Sequence, residues 1–197
     1  MILGMRNRLA IAVLALALFG PAASAQILVD DKATVRIETS LGVIVVDVNA
    51  DRAPITVETF LQNVVNGFYD GTIFHRVVPG FLIQGGGYLP DLSAKPVTET
   101  VPNESGNGLL NRRGTIGMAR GTEAHSATTQ FYFNLQDNPE LNPRPSRWGY
   151  TVFGEITEGL EVMDLIAAQP TGAGGEFERD LPIDTILIEH IELIREE

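Results

Sequence analysis

Residues 74–87 read FHRVVPGFLIQGGG: two short apolar runs, each broken by one long polar side chain, Arg76 in the first and Gln84 in the second, with Pro79-Gly80 between them. Pro-Gly is a turn signal, because proline presets φ for the first central position and glycine accepts the positive φ of the second. If both runs are strands, alternation puts Phe74, Arg76 and Val78 on one face, and Leu82 and Gln84 on one face of the other strand. Strict alternation cannot set Phe81 beside Leu82, so Phe81 is expected to project from the turn. An arginine and a glutamine among so many apolar groups need a reason. One is that both sit at strand edges and reach solvent; the other is that they are wanted together.

Upstream, TVRIETSLGVIVVDV at 34–48 alternates β-branched residues around Ser40-Leu41-Gly42, a hairpin signal. Pro54 opens a helical pattern with Val57, Phe60, Leu61, Val64, Val65 and Phe68 on one apolar stripe, and Gly67 suits a left-handed cap at its end. Downstream, residues 88–113 have little periodicity, and so long a loop in a compact domain is a candidate border for a binding groove. Strand character returns at 114–119, 130–133, 150–156 and 184–194. Residues 160–167 predict a short helix with Leu160, Met163 and Ile166 inward, and 171–182 reads as a Gly-rich acidic loop. About eight strands and two segregated helices, joined by Gly/Pro turns, predict a mainly β sandwich or closed barrel.

The chain of 197 residues is 44% apolar and 20% charged, which suits one globular domain. Its first residues differ. Arg6 and Arg8 precede an apolar run from Leu9 to Phe19, then Gly20-Pro21 and Ala23-Ser24-Ala25. This is the pattern of a secretory signal peptide, cleaved after Ala25, with residues 26–197 as the mature domain. About eleven apolar residues fall well short of the ~20 that span a bilayer. The expected product is exported, free of the membrane after cleavage, and, in the absence of any cysteine, folded without disulfides, which fits a bacterial periplasm. Loss of two arginines and no acids moves the formal charge from −11 to −13, a surface that repels nucleic-acid phosphates and anionic lipid headgroups.

Other chemistries find no support in the pattern. His75, His125 and His190 lack the helical i, i+4 spacing of a metal site, and His75 reads as a hydrogen-bonded structural residue, so no metal is expected. Ser126 is not in a G-x-S-x-G elbow, and Gly85-Gly86-Gly87 lacks the Lys-Ser/Thr of a phosphate loop.

The wording of FHRVVPGFLIQGGG, together with NESGNGLLNRRGTIGMAR at 103–120, HSATTQFYFN at 125–134 and WGYTVFGEITEGLEVMD at 148–164, resembles the cyclophilin-type peptidyl-prolyl cis-trans isomerases, in order and spacing as well as in residues. The likeness covers essentially the whole of residues 26–197 and is closest to bacterial members. It implies a closed eight-stranded antiparallel β-barrel capped by two helices, which selects the barrel over the sandwich. It implies Arg76 as the catalytic guanidinium and Gln84 as the amide that orients it or contacts substrate backbone. Phe81, Leu82, Tyr132 and Leu141 would line a proline pocket, with Ala119, Arg120, Gln130 and Tyr150 bordering a peptide groove.

Such an enzyme needs no cofactor. Rotation about an X-Pro amide faces a barrier of about 18–20 kcal/mol because the nitrogen lone pair is shared with the carbonyl. A guanidinium that donates to the prolyl nitrogen withdraws that pair as the bond twists, an interaction made most strongly in the transition state. The expected partners are proline-containing segments of unfolded or exported proteins, and the expected state is a monomer. Two positions depart from the family pattern: Tyr132 replaces a usual phenylalanine and adds a hydroxyl that needs a partner, and Glu140 replaces a common aromatic, which implies weak cyclosporin binding. The competing expectations are a proline-segment binding module that turns over poorly, and a chaperone surface formed by residues 88–113.

Overall fold

A computed structural model describes residues 32–97 and 99–194, so the expected signal segment lies outside the described residues. The first hairpin is β1 (Lys32–Thr39) and β2 (Gly42–Asn49), followed by helix α1 (Pro54–Val65), β3 (Thr72–Val78), β4 (Leu82–Gly85), β5 (Thr115–Met118) and β6 (Phe131–Asn134). A short 3-10 turn at Pro139–Leu141 leads to β7 (Val152–Glu158) and helix α2 (Leu160–Ala167), then β8 (Thr171–Gly174), β9 (Phe177–Pro182) and β10 (Leu187–Ile194). Eight strands close in the order β1-β10-β3-β4-β6-β5-β7-β2, every neighbouring pair antiparallel, while β8 and β9 form a separate two-stranded ribbon. The closed barrel is as expected. The ribbon corrects the reading of 171–182 as a loop.

Aromatic side chains fill the interior. Phe60 of α1 lies 5.7 Å from the Phe131 ring and 5.2 Å from that of Phe153, so its ring joins the helix to the strand aromatics. The expected helical stripe holds for Val57, Phe60, Leu61 and Val64, but Val65 is exposed. It is the last residue of α1, where the helix turns away from the barrel. The turn is a Schellman ending: Gly67 has φ +64, its N–H donates to the Val64 carbonyl, and the Phe68 N–H donates to that of Asn63. In α2 Met163 and Ile166 are buried with Val162, whereas Leu160, the first helical residue, is exposed and precedes the turn that packs.

The start of α1 has no side-chain cap of its own, since Ala53 holds that position. Glu104 supplies the need from the long loop: its carboxylate accepts from the Ile55 and Thr56 N–H groups and from the Thr56 hydroxyl. The same loop is stitched to the barrel by the Glu104 N–H on Thr151 Oγ1 and by the Asn107 amide on the Val152 carbonyl.

Alternation fails at one decisive place. Phe74 pairs with Gly85 and Arg76 with Gln84, so two steps along β3 match one along β4. This β-bulge turns Phe74 and Val77 into the core and leaves Arg76 on the outer face. Phe74 and Arg76 therefore do not share a face, contrary to the simple alternation.

Candidate active site

A row of directly opposed residues crosses the outside of the barrel: Arg76 on β3, Gln84 on β4, Tyr132 on β6 and Gly117 on β5. The glycine is what lets the row lie flat. A Cβ at 117 would sit 2.3 Å from Tyr132 Cζ, so the tyrosine ring occupies the space of the missing side chain. Leu82 and Gln84 share the outer face of β4 as alternation requires. Phe81 projects from the Val78–Phe81 turn, closed by the Phe81 N–H on the Val78 carbonyl with Gly80 at φ +69.

Leu82, Tyr132 and Leu141 form a small buried apolar cluster outside the main core, with Phe81, Ala119 and Tyr150 packed against it. Leu141 comes from the 3-10 turn, and its carbonyl accepts the Tyr150 N–H, tying both walls together. These six residues, with Arg76, Gln84 and Arg120, line a pocket of about 200 Å³. That is below the usual ligand-pocket range of roughly 300–1,000 Å³ and suits one small ring with its flanking backbone left in the groove. Gln130 is the one expected site residue outside the pocket lining; its Oε1 accepts from Gln84 Nε2 at 2.8 Å. Gly87 makes room for it, since a Cβ there would lie 2.5 Å from Gln130 Cγ.

The two arginines at this pocket differ. Arg120 is engaged on every nitrogen: Nε donates to the Gly149 carbonyl, Nη1 to those of Gly121 and Thr122, and Nη2 to that of Trp148. Its guanidinium also lies 4.4 Å from the centre of the Tyr150 ring. Arg76 is held loosely, with Nη1 3.5 Å from Gln84 Oε1 and Nε 3.8 Å from the Asp180 carboxylate on β9. With 38% of its side chain exposed, it keeps donors free for a groove ligand.

Behind Arg76, His75 is buried, 4.6 Å from the Tyr88 ring and 5.6 Å from that of Phe177. Its Nδ1 has no hydrogen-bond partner, and aromatic packing holds that edge of the ring. Burial, assisted by the adjacent Arg76 cation, holds its pKa down to about 4, and the imidazole is neutral at pH 7.

The Tyr132 hydroxyl finds its partner in Asn111, donating to Oδ1 at 2.5 Å. Burial pushes its pKa well above the ordinary tyrosine value, with the neighbouring Tyr150 adding to the effect. Asn111 belongs to a buried carboxamide chain: Asn134 donates to Asn111, Asn138 to Asn134, and Asn111 to Asn142. The chain closes on the turn, where Asn138 Nδ2 donates to the Phe81 carbonyl at 2.9 Å. None of these asparagines was singled out from the sequence, nor was Asp180; apart from the Asn138–Asn134 bond, four residues apart, their pairings join segments distant in the chain and leave no periodic signal. Glu140, in the 3-10 turn, is exposed, and Trp148 stands outside the pocket, its ring edge-on to His125.

Two larger hollows lie elsewhere. One of about 270 Å³ sets Arg112 beside Asp47 and Glu155, and one of about 440 Å³ holds Glu58 and Glu99 with no cation among its described residues. The first places its arginine among carboxylates, and the second has no guanidinium in its described lining. Among the described residues no three His, Asp or Glu side chains gather as metal ligands.

Comparison with known proteins agrees with this geometry. Residues 34–193 match the family model described as cyclophilin type peptidyl-prolyl cis-trans isomerase/CLD. The chain is 46% identical over 164 residues to peptidyl-prolyl cis-trans isomerase cyp18 of Streptomyces antibioticus, covering 82% of this chain and 98% of that relative. It is 41% identical to peptidyl-prolyl cis-trans isomerase A of Dickeya dadantii, over 94% of this chain and 95% of the relative. Among solved structures, a cyclophilin type peptidyl-prolyl cis-trans isomerase of Cryptosporidium parvum superposes with a TM-score of 0.71 at 26% identity, covering 84% of this chain and 99% of that one. A second crystal structure of that protein, determined in the presence of the dipeptide Ala-Pro, gives 0.70 at 27% identity, over 83% and 99% of the two chains. A closed barrel of the family's architecture, a family-model match over nearly all the described residues and relatives above 40% identity leave one assignment: the chain belongs to the cyclophilin-type peptidyl-prolyl cis-trans isomerases.

Proposed function

We infer that this protein is a peptidyl-prolyl cis-trans isomerase that speeds rotation about X-Pro bonds in exposed segments of exported polypeptides. The observation that carries the site assignment is the pairing of Arg76, half-exposed and loosely held, with a small apolar recess floored by Leu82, Tyr132 and Leu141. The recess takes the proline ring. The Gln84–Gln130 amide pair borders the flanking backbone, and Arg76 donates to the prolyl nitrogen as the amide leaves planarity. No bond is made or broken, so neither a nucleophile nor a cofactor is needed. Lowering the barrier by about 7 kcal/mol gives roughly 10⁵-fold acceleration. The parasite relative crystallised with Ala-Pro supports a proline dipeptide as the minimal ligand.

Export and a periplasmic location rest on the leader pattern of residues 1–25. The alignment with the Dickeya relative, over 94% of the chain, extends into residues 1–25. Fractionation of an expressing bacterium should place the protein in the periplasm with an N-terminus at Gln26; retention in the cytoplasm with an intact Met1 would overturn export. The protein acts as a monomer, and cyclosporin binds weakly because Glu140 supplies no aromatic contact; a submicromolar dissociation constant would sink that expectation.

The deciding experiment is exchange NMR on an Ala-Pro test peptide with the protein and its Arg76→Ala variant. Fast exchange that is lost in the variant supports the isomerase. Peptide binding without acceleration in either protein would favour the proline-segment binding module.

A further inference from the structure

We propose that Asp180 is a positioning residue for Arg76, presented by the β8–β9 ribbon, so that this ribbon is part of the catalytic apparatus. The inference rests on the isomerase reading of the site. Asp180 Oδ2 lies 3.8 Å from Arg76 Nε, while Gln84 Oε1 stands 3.5 Å from Nη1. The two contacts engage different nitrogens of one planar group. Among the described residues no protein partner lies within hydrogen-bond distance of Nη2, the donor left to reach a twisting prolyl amide.

Three features indicate that the carboxylate is placed and not merely nearby. Asp180 has φ +65, a left-handed backbone conformation rare outside glycine and best tolerated by Asp and Asn. Held strain of this kind persists where surrounding structure fixes it, and here the surroundings are specific. Phe177, three residues earlier on the same strand, packs against His75 and Tyr88, with ring centres 5.6 and 5.0 Å away, so the ribbon is anchored on the residue adjacent to Arg76. At the ribbon's tip Gly175 fits against Leu92, where a Cβ would come within 2.7 Å of Leu92 Cδ1. Finally, the Asp180 side chain is 24% exposed against 85% for Arg179, whose Nε also lies 3.7 Å from the carboxylate. The sheltered side chain faces the catalytic cation, and the exposed one is a solvated neighbour.

Loss of orientation at a transition-state donor lowers kcat with little effect on KM, because the contact is made mainly in the transition state. Misplacement by about 1 Å can cost 10²-fold; with Gln84 still in place, about tenfold is expected. Asn and Gly both suit φ +65, so Asp180→Asn and Asp180→Gly keep the backbone while removing the charge or the whole side chain. The test is steady-state kinetics on an Ala-Pro substrate with both variants. It is joined to proton-exchange NMR of the Arg76 Nε–H, identified by its loss in Arg76→Ala. The expected result is kcat down about tenfold, KM within twofold, faster exchange of the Nε–H, and barrel amide resonances in their original positions. Unchanged kcat in both variants, or a rise in KM alone, while Arg76→Ala still abolishes the activity of the parent, would overturn the positioning role and leave the isomerase intact. A parent that fails to accelerate exchange would instead remove the reading on which the inference stands.

Discussion

Arg76 and Arg120 line the same recess about the same apolar floor, yet their surroundings are opposite in kind. Arg120 gives its donors to four backbone carbonyls and stacks on Tyr150, so its cation serves to hold the 119–122 and 148–150 segments together. Arg76 has two contacts, at 3.5 and 3.8 Å. A guanidinium with satisfied donors is a structural part; one with spare donors beside an apolar recess is placed to act on a ligand. The sequence likeness set both at the groove, and the hydrogen bonds separate their tasks.

The strongest way to break this contrast is to truncate each in turn. Arg76→Ala should lower kcat/KM at least 10²-fold, about 3 kcal/mol of transition-state stabilisation, with a denaturant midpoint close to that of the parent. If the variant keeps its activity, the loosely held arginine is not the acting one.

Acid should weaken the Arg76 side in particular, because it rests on a buried neutral imidazole. The folded-state pKa of His75 is about 4, below its ordinary value of 6.5. The unfolded chain therefore binds more protons across that interval, and stability falls as pH drops. The loss is about 2 kcal/mol between pH 6.5 and 5, reaching ~3 kcal/mol by pH 4. Urea midpoints at pH 7.5 and 5 would show it, and His75→Phe, which keeps a ring against Tyr88 and Phe177, should flatten the difference. An equal slope in both proteins would place the acid sensitivity elsewhere.

Arg120→Ala should show the converse of Arg76→Ala. Several bonds to carbonyls and one ring contact are lost from a partly exposed group, for a stability loss of about 1–2 kcal/mol. Catalysis should fall less than tenfold. A fall as deep as that of Arg76→Ala, at unchanged stability, would erase the distinction between the two.

What could be read from the chain follows the same division. Apolar periodicity located the barrel strands and both helices because a buried face must repeat at the period of its element. It misplaced Val65 and Leu160, which stand at helix ends where packing has stopped or not begun. It missed the bulge after Phe74, since one extra residue leaves no compositional trace. The 171–182 ribbon escaped as well, because its strands cover a small patch around His75 and Tyr88 and are only partly buried. At the site, the wording of FHRVVPGFLIQGGG and its companion segments named the pocket residues. The Asn111–Asn134–Asn138 chain and the Asp180 contact join segments far apart in sequence, so only three-dimensional placement exposes them.

The floor between the two arginines offers the smallest and sharpest test. Tyr132→Phe keeps the ring that fills the space over Gly117 and removes only the hydroxyl. Asn111 Oδ1 is not orphaned by the change, because Asn134 Nδ2 still donates to it at 3.2 Å. The cost should be no more than about 1 kcal/mol, and kcat/KM should stay within twofold, since the hydroxyl is turned into the asparagine chain and away from the recess. A loss above tenfold at unchanged stability would mean that the phenol meets the substrate directly. The floor would then be a third polar participant and not the apolar seat between one acting and one structural arginine.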